Sequence, residues 1–430
     1  MLVRFIIRFS CIIFGLSLLI GCGATSSTSD SSDDSVLGSD TQISSPSASS
    51  CSDPLFDSLP IDTLISIVPL GNANPRGGHT FPTPHNYIYF DEQGNSDLAQ
   101  HNVKAPGDIT LTSIETMHYT HKTTGVKQSD YSINFKSQLC SSVIGYYKHI
   151  KALETSLDDR LATLSKSCNS YDAGDQTVER CNYSLSLAVN SGDIIGMVGG
   201  VGQEQANFDF GIADKRTRLD FLDQNYYWND FYYMACPWDY YSDEFKLTHN
   251  IAAKFGIKEQ GMDFVSRQGE PACGVFMQDL AGTAKGNWLL PSQTSFQKED
   301  YHIALIESNY DSAKLMFSIG SDSNLMKNNQ PYRSEFTPNT DQTSFKGQSF
   351  GLISSGHVYC YSSSDDVPYH ISPDYENSSE GNVKHIRILL YLETEARLNV
   401  VVDDDQTSCN EIPSFEQFNT LNPVLFLRDV

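Results

Sequence analysis

From residue 86 onward the chain is a succession of short runs: "NYIYF", "ITLTSIETMHYT", "YSINFK", "SVIGYYKHI", "NYSLSLAV", "DIIGMVGG" and "NFDFGIAD". Each is rich in β-branched and aromatic residues and is bounded by Gly, Pro, Asp or Asn. Such runs suit a pleated, half-buried surface, and their flanks supply turns, so strands are predicted throughout. After about residue 260 a second series follows: "YHIALIES", "KLMFSIGS", "SFGLISS", "HVYCYSS", "VKHIRILLYLE", "RLNVVVDD" and "PVLFLRDV". Two segments read as helices. In 152–167, Leu153, Leu157, Leu161 and Leu164 form a stripe at helical spacing. In 242–256, Ser242 is a cap candidate, Gly256 a stop, and Phe245, Ile251, Ala252 and Phe255 the expected buried face. The expected fold class is mainly β, in two units with few helices, each unit a sandwich or a barrel.

The N-terminus is of another kind. Arg4 and Arg8 precede the apolar run "CIIFGLSLLIG", which is too short for a stable membrane span and reads as a secretory signal. Leu19-Ile20-Gly21-Cys22 resembles a bacterial lipobox, which implies lipidation of Cys22, a membrane anchor and a place in the cell envelope, at the outer membrane or cell surface; the alternative is a plain signal peptide. The Ser- and Asp-rich segment after Cys22 lacks Lys, Arg and nearly all large apolar residues, so it cannot offset its ordering entropy and reads as a tether. The boundaries are then 1–22 signal, 23–51 tether, 52–224 first β domain, 225–260 aromatic interdomain segment with a helix, and 261–430 second β domain. The formal charge of −24 argues against a nucleic-acid partner.

Eight cysteines lie beyond Cys11 and Cys22. An even count in an exported chain points to disulfides, and the absence of C-x-x-C argues against a cysteine zinc site. Cys168–Cys181 and Cys360–Cys409 are the expected pairs. "GMVGGVGQ" lacks the Lys-Ser/Thr of a phosphate-binding loop, and "GLISSG" is not a nucleophile elbow. Trp238 and Tyr240 of the aromatic segment read either as interface core or as the wall of a glycan groove. Trp288 of "GNW" is expected to be buried at a turn into a strand.

Several elements of the first domain carry a pattern: "GGHTF", "VKAPGDITL", "YYKHI", "VNSGDIIGMVGG" and "NFDFGIAD". Their order over roughly residues 66–214 resembles the lysostaphin/LytM-type zinc endopeptidases of peptidoglycan. The resemblance implies a duplicated-hybrid-motif type of β domain and a zinc site. His79 matches the family's first metal-binding His. The family's Asp, four residues on, falls at Thr83, which cannot replace a carboxylate; His85 stands two residues further on. His149 matches the His that helps activate water. Asn207 and Asp209 stand where the family has its H-x-H strand, so Asp209 is a candidate ligand and Asn207 occupies a catalytic position without being able to act as a base. "HTFPTPH", "ACPWDYY" and "GTAKGNW" also resemble a group of secreted two-domain β proteins of uncharacterised activity.

Residues i and i+2 of a strand share a face, so Asn207 and Asp209 are expected to project together, as are Tyr147 and His149. Pairing as in the family would bring His79, His85, His149 and Asp209 together, with zinc on His79, His85 and Asp209, and His149 as the acid/base. Three readings stand open: a zinc hydrolase of the peptide cross-links of peptidoglycan, a non-catalytic envelope module binding glycan, peptide or a protein partner, and a structural lipoprotein.

Overall fold

The protein is described by a computed structural model covering residues 51–429, apart from 96–97, 174, 201–204, 259, 294–295, 297, 327–328, 363–385 and 404–407. Residues 1–50, on which the expected signal, the expected lipidation at Cys22 and nearly all of the expected tether fall, lie outside the described residues. The fold is mainly β with few helices.

The first unit runs through β1 (Ser66–Val68), β2 (Asn86–Tyr89), β3 (His101–Lys104), β4 (Ile109–His121), β5 (Lys127–Ser137), β6 (Val143–Ile150), β7 (Ala152–Leu153), α1 (Thr155–Leu161), β8 (Lys166–Ala173), β9 (Gln176–Val189), β10 (Ile194–Val198), β11 (Asn207–Asp214) and β12 (Met234–Ala235). The large sheet has the order β1-β2-β11-β6-β5-β4-β9-β8, with β12 beside β11, and a small sheet has the order β3-β10-β7. Alternation along the strands gives the large sheet two distinct faces. Ile88, Ile133, Phe135, Tyr147, Phe208 and Phe210 point into one core, each almost fully buried. The small sheet covers that face closely enough that a Cβ at Gly196 of β10 would meet Ile150. Burying one such Phe or Ile contributes about 1.5–3 kcal/mol. The opposite face carries the polar partners described below.

The aromatic segment packs into this same core. Trp238 meets Phe210 edge-on, and Tyr240 donates its hydroxyl to Asp214 Oδ2 at 2.8 Å. Both rings are buried, which removes them as the wall of a glycan groove. Then come α2 (Asp243–Thr248), β13 (Gly256–Ile257) and β14 (Val265–Ser266), followed by the second unit: β15 (Gly286–Trp288), β16 (Ile303–Glu307), β17 (Leu315–Ile319), β18 (Tyr332–Phe336), β19 (Val358–Ser362), β20 (Arg387–Thr394), β21 (Arg397–Asp403), α3 (Phe415–Asn419) and β22 (Val424–Leu427). Strands β15–β18 and β19–β22 form two four-stranded antiparallel sheets that share a core around Trp288, Phe317, Phe350 and Leu390. Among the described residues no sheet closes into a barrel, so the sandwich alternative holds.

Three local expectations need correction. The helix predicted over 152–167 shrinks to α1, because Ala152–Leu153 pairs with β10 and Glu154 caps the helix by accepting from Ser156 and Leu157. The helix predicted over 242–256 starts where Ser242 caps it but ends at Thr248. Asn250 is left-handed there, the chain continues as a short 3-10 turn, and Ala252 is exposed. In "SFGLISS", Phe350–Leu352 is a 3-10 turn rather than a strand. Four disulfides close the fold: Cys51–Cys140, Cys168–Cys181, Cys236–Cys273 and Cys360–Cys409. Both expected pairs are among them.

Candidate active site

Four of the residues singled out from sequence meet on the polar face of the large sheet, each brought there by a local device. His79 follows a tight 3-10 turn over Pro75–Gly77, where Asn74 accepts from Gly77 and Gly78 is left-handed; the backbones of Asn74 and His79 then bond reciprocally. His85 ends the proline-stiffened "PTPH" stretch just before β2 and is 4% exposed. Asp209 lies on β11 between Tyr87 of β2 and Lys148 of β6. Phe208 and Phe210 face the core, so Asn207 and Asp209 share the polar face as expected.

His149 reaches the site differently from the expectation. The β5–β6 register shifts between Tyr131 and Ile133, and His149 sits in this bulge at φ 63°. The bulge breaks the alternation. Tyr147 points into the core against Phe135, Phe208 and Phe210, whereas Tyr146 and His149 share the polar face.

Asp209 is the centre of the cluster. Its Oδ2 stands 3.4 Å from His85 Nε2 and 3.6 Å from His149 Nε2. His149 Nδ1 contacts Asp130 Oδ2 at 3.0 Å, and His85 Nδ1 contacts the Tyr146 hydroxyl at 3.2 Å. The His79 and His85 rings are perpendicular with centroids 5.9 Å apart. Burial opposes charge on His149, but the Asp209 carboxylate and the hydrogen bond and charge of Asp130 outweigh it and raise its pKa to about 9. His149 is therefore an imidazolium at neutral pH. Burial, together with the other positive groups, holds His85 well below its ordinary value. His79 moves the same way for the same reasons, although its side chain keeps 35% of its surface, and water moderates the shift. Burial raises Asp209, against the opposing pull of His149 and Lys148.

Two atoms here are buried without a hydrogen-bond partner, His85 Nε2 and Asp209 Oδ1. If His85 Nδ1–H donates to the Tyr146 oxygen, the Nε2 lone pair faces a carboxylate across 3.4 Å. Two buried acceptors at that distance need a proton or a cation between them. The donor types, two imidazoles and a carboxylate, are ones that zinc takes. The ligand atoms of His79, His85 and Asp209 do not all lie within 4.8 Å of one another, so holding one ion between them requires the side chains to draw together; among the described residues only Cys168, Glu179 and Cys181 are that close, and those two cysteines are spent in a disulfide.

Thr83 is buried, and its side-chain oxygen has no partner. No carboxylate stands at that position, but one arrives from the second unit. Glu299 Oε2 accepts from the Phe81 N–H at 2.8 Å, and Oε1 lies 4.0 Å from His79 Nδ1. Burial raises Glu299 to about 8, so neither it nor His79 is mainly charged at neutral pH, and this approach is not an ion pair. Phe81 also stacks on His302, a neutral buried imidazole that accepts from Leu290 N–H and bonds to the Tyr226 hydroxyl.

Sequence reasoning missed Asp130, Tyr146 and Glu299. Asp130 had a signal: it and His149 lie at nearly equal distances either side of the turn at Cys140, as cross-hairpin neighbours do. Glu299 had none, being 218 residues from its partner Phe81. No family model, no curated protein and no solved structure matches the chain.

Proposed function

We propose that this chain is an envelope lipoprotein whose first β unit is a zinc-dependent, lysostaphin/LytM-like module acting on the peptide cross-links of peptidoglycan. The observation that carries the proposal is the meeting of His79, His85, His149 and Asp209 on one sheet face, with His85 Nε2 and Asp209 Oδ1 buried and unpartnered. His79, His85 and Asp209 would hold the metal, which lowers the pKa of a bound water toward neutrality. Tyr146 fixes the ring orientation of His85, a supporting contact of the kind that tunes metal ligands. His149, held as an imidazolium by Asp130, stabilises developing negative charge and delivers a proton to the leaving amine. The lipid anchor at Cys22 is proposed from the sequence, and release from membranes on Cys22→Ser tests it.

One observation favours a second reading. Asn207 stands on the face of Asp209 where the family has a catalytic His, and an amide cannot accept a proton there. A module that binds envelope peptide or glycan without cutting it fits that substitution. The experiment is zinc content of the untagged chain, followed by digestion of purified peptidoglycan. The hydrolase reading expects about one equivalent of zinc, lost in His85→Ala and Asp209→Ala, and release of soluble peptides. Less than a tenth of an equivalent sinks it; bound zinc without cleavage leaves the binding module.

A further inference from the structure

Beside the His–Asp cluster, on the same sheet face, lies a groove of about 390 Å³ lined by Thr112, Asn134, Tyr146, Lys148, Trp228 and Asp230, among others. Its volume is within the about 300–1,000 Å³ of small-ligand clefts. Tyr146 belongs to both places: its hydroxyl meets His85 and its side chain walls the groove. Trp228 is the feature that needs an account. In the segment from Tyr226 to Tyr241 every other aromatic ring is buried or half-buried, while Trp228 is 41% exposed. It is nonetheless held in place, meeting Phe231 and Phe296 in T-shaped contacts at 4.6 and 5.0 Å. A large indole kept in water by a fixed framework loses the favourable transfer its neighbours gain.

We infer that this groove is a saccharide-binding site in which Trp228 is the stacking platform. An indole presents a broad apolar face with negative π density, against which the C–H face of a pyranose ring packs. Beside it the groove offers further apolar wall from Ile144, Ala213 and Met234, suited to the C–H patches of a sugar, and hydrogen-bonding groups for its hydroxyls: the Asn134 amide, the Thr112 hydroxyl and the Asp230 carboxylate. Its charges are balanced, with Lys148 lying over the Tyr146 ring and Asp230 paired to Lys215, so the groove favours an uncharged, hydroxyl-rich ligand. The chain's charge of −24 disfavours a polyanion. The inference rests on the envelope reading above and adds to it that the glycan strand, not only the peptide, is held, in a groove that shares Tyr146 with the histidine cluster.

The test titrates the full chain with N-acetylchitotetraose, followed by tryptophan emission and calorimetry. Trp238 and Trp288 are buried, so an emission change reports Trp228. Saturable binding is expected, weakened tenfold or more by Trp228→Ala and less than threefold by Trp228→Tyr, both measured by calorimetry because these variants lack the reporting indole, with far-ultraviolet circular dichroism unchanged in both. Metal chelation should leave the affinity as it was. Absence of saturable binding, or the same affinity in Trp228→Ala, overturns the inference. A chain that binds no zinc yet binds the tetrasaccharide through Trp228 removes the hydrolase reading and keeps this one.

Discussion

His149 shows how much a single position can carry. A left-handed non-glycine residue stores of order 1 kcal/mol or more of backbone strain, so it persists only where its surroundings hold it. Here two carboxylates do so, Asp130 on one ring nitrogen and Asp209 on the other. Because its folded pKa is raised to about 9 from an ordinary value of 6.5, its stabilisation is fully present below pH 6.5 and is lost as pH rises through 9. In metal-stripped protein, the difference in melting temperature between the wild type and His149→Gln should therefore be largest below pH 6.5 and vanish above pH 9. A pH-independent difference would contradict the charged assignment. At this scale the sequence was readable in part: His85 and His149 both approach Asp209, and His79 packs against His85. The expectation that Tyr147 and His149 share a face failed, because the one-residue bulge that turns His149 to the other side leaves no mark in an alternating pattern.

At the scale of elements, the site depends on β11 and β6 lying close enough for Tyr146 to cross Gly211. A Cβ at Gly211 would fall on the ring and hydroxyl of Tyr146. Gly211→Ala should cost about 1–3 kcal/mol through overpacking and should weaken zinc binding by displacing the hydroxyl from His85. Denaturant unfolding and a zinc titration measure the two effects; an unchanged zinc affinity would show that Tyr146 does not support His85. Most strands were legible because runs of β-branched and aromatic residues recur between turn residues, but the run at Phe350–Leu352 is a 3-10 turn and the polar β8 carries no such run. Helix lengths were not. Leu153 and Leu164 have helical spacing, yet Leu153 gains a strand partner in β10, and tertiary pairing overrides a weak stripe.

For the whole molecule, the second unit holds the loop that bears both candidate metal histidines. Glu299 receives Phe81, His302 stacks on Phe81, and Arg333 donates to the Ala73 carbonyl at 2.8 Å. None of this was visible in sequence, since such long-range pairs carry no local pattern. Since burial keeps Glu299 mainly protonated at neutral pH, Glu299→Gln is nearly isosteric and should change the melting temperature little. Glu299→Ala, which orphans a buried N–H, should cost about 1–3 kcal/mol. Equal losses in both variants would contradict the neutral acid. One further property follows from the Cys51–Cys140 disulfide. The bridge ties Cys51 to the β5–β6 turn and makes the chain from 51 to 140, which carries His79, His85 and Asp130, a covalent ring. A single proteolytic cut inside that ring would open it without freeing either piece, so the two histidines and the carboxylate would stay on one molecule.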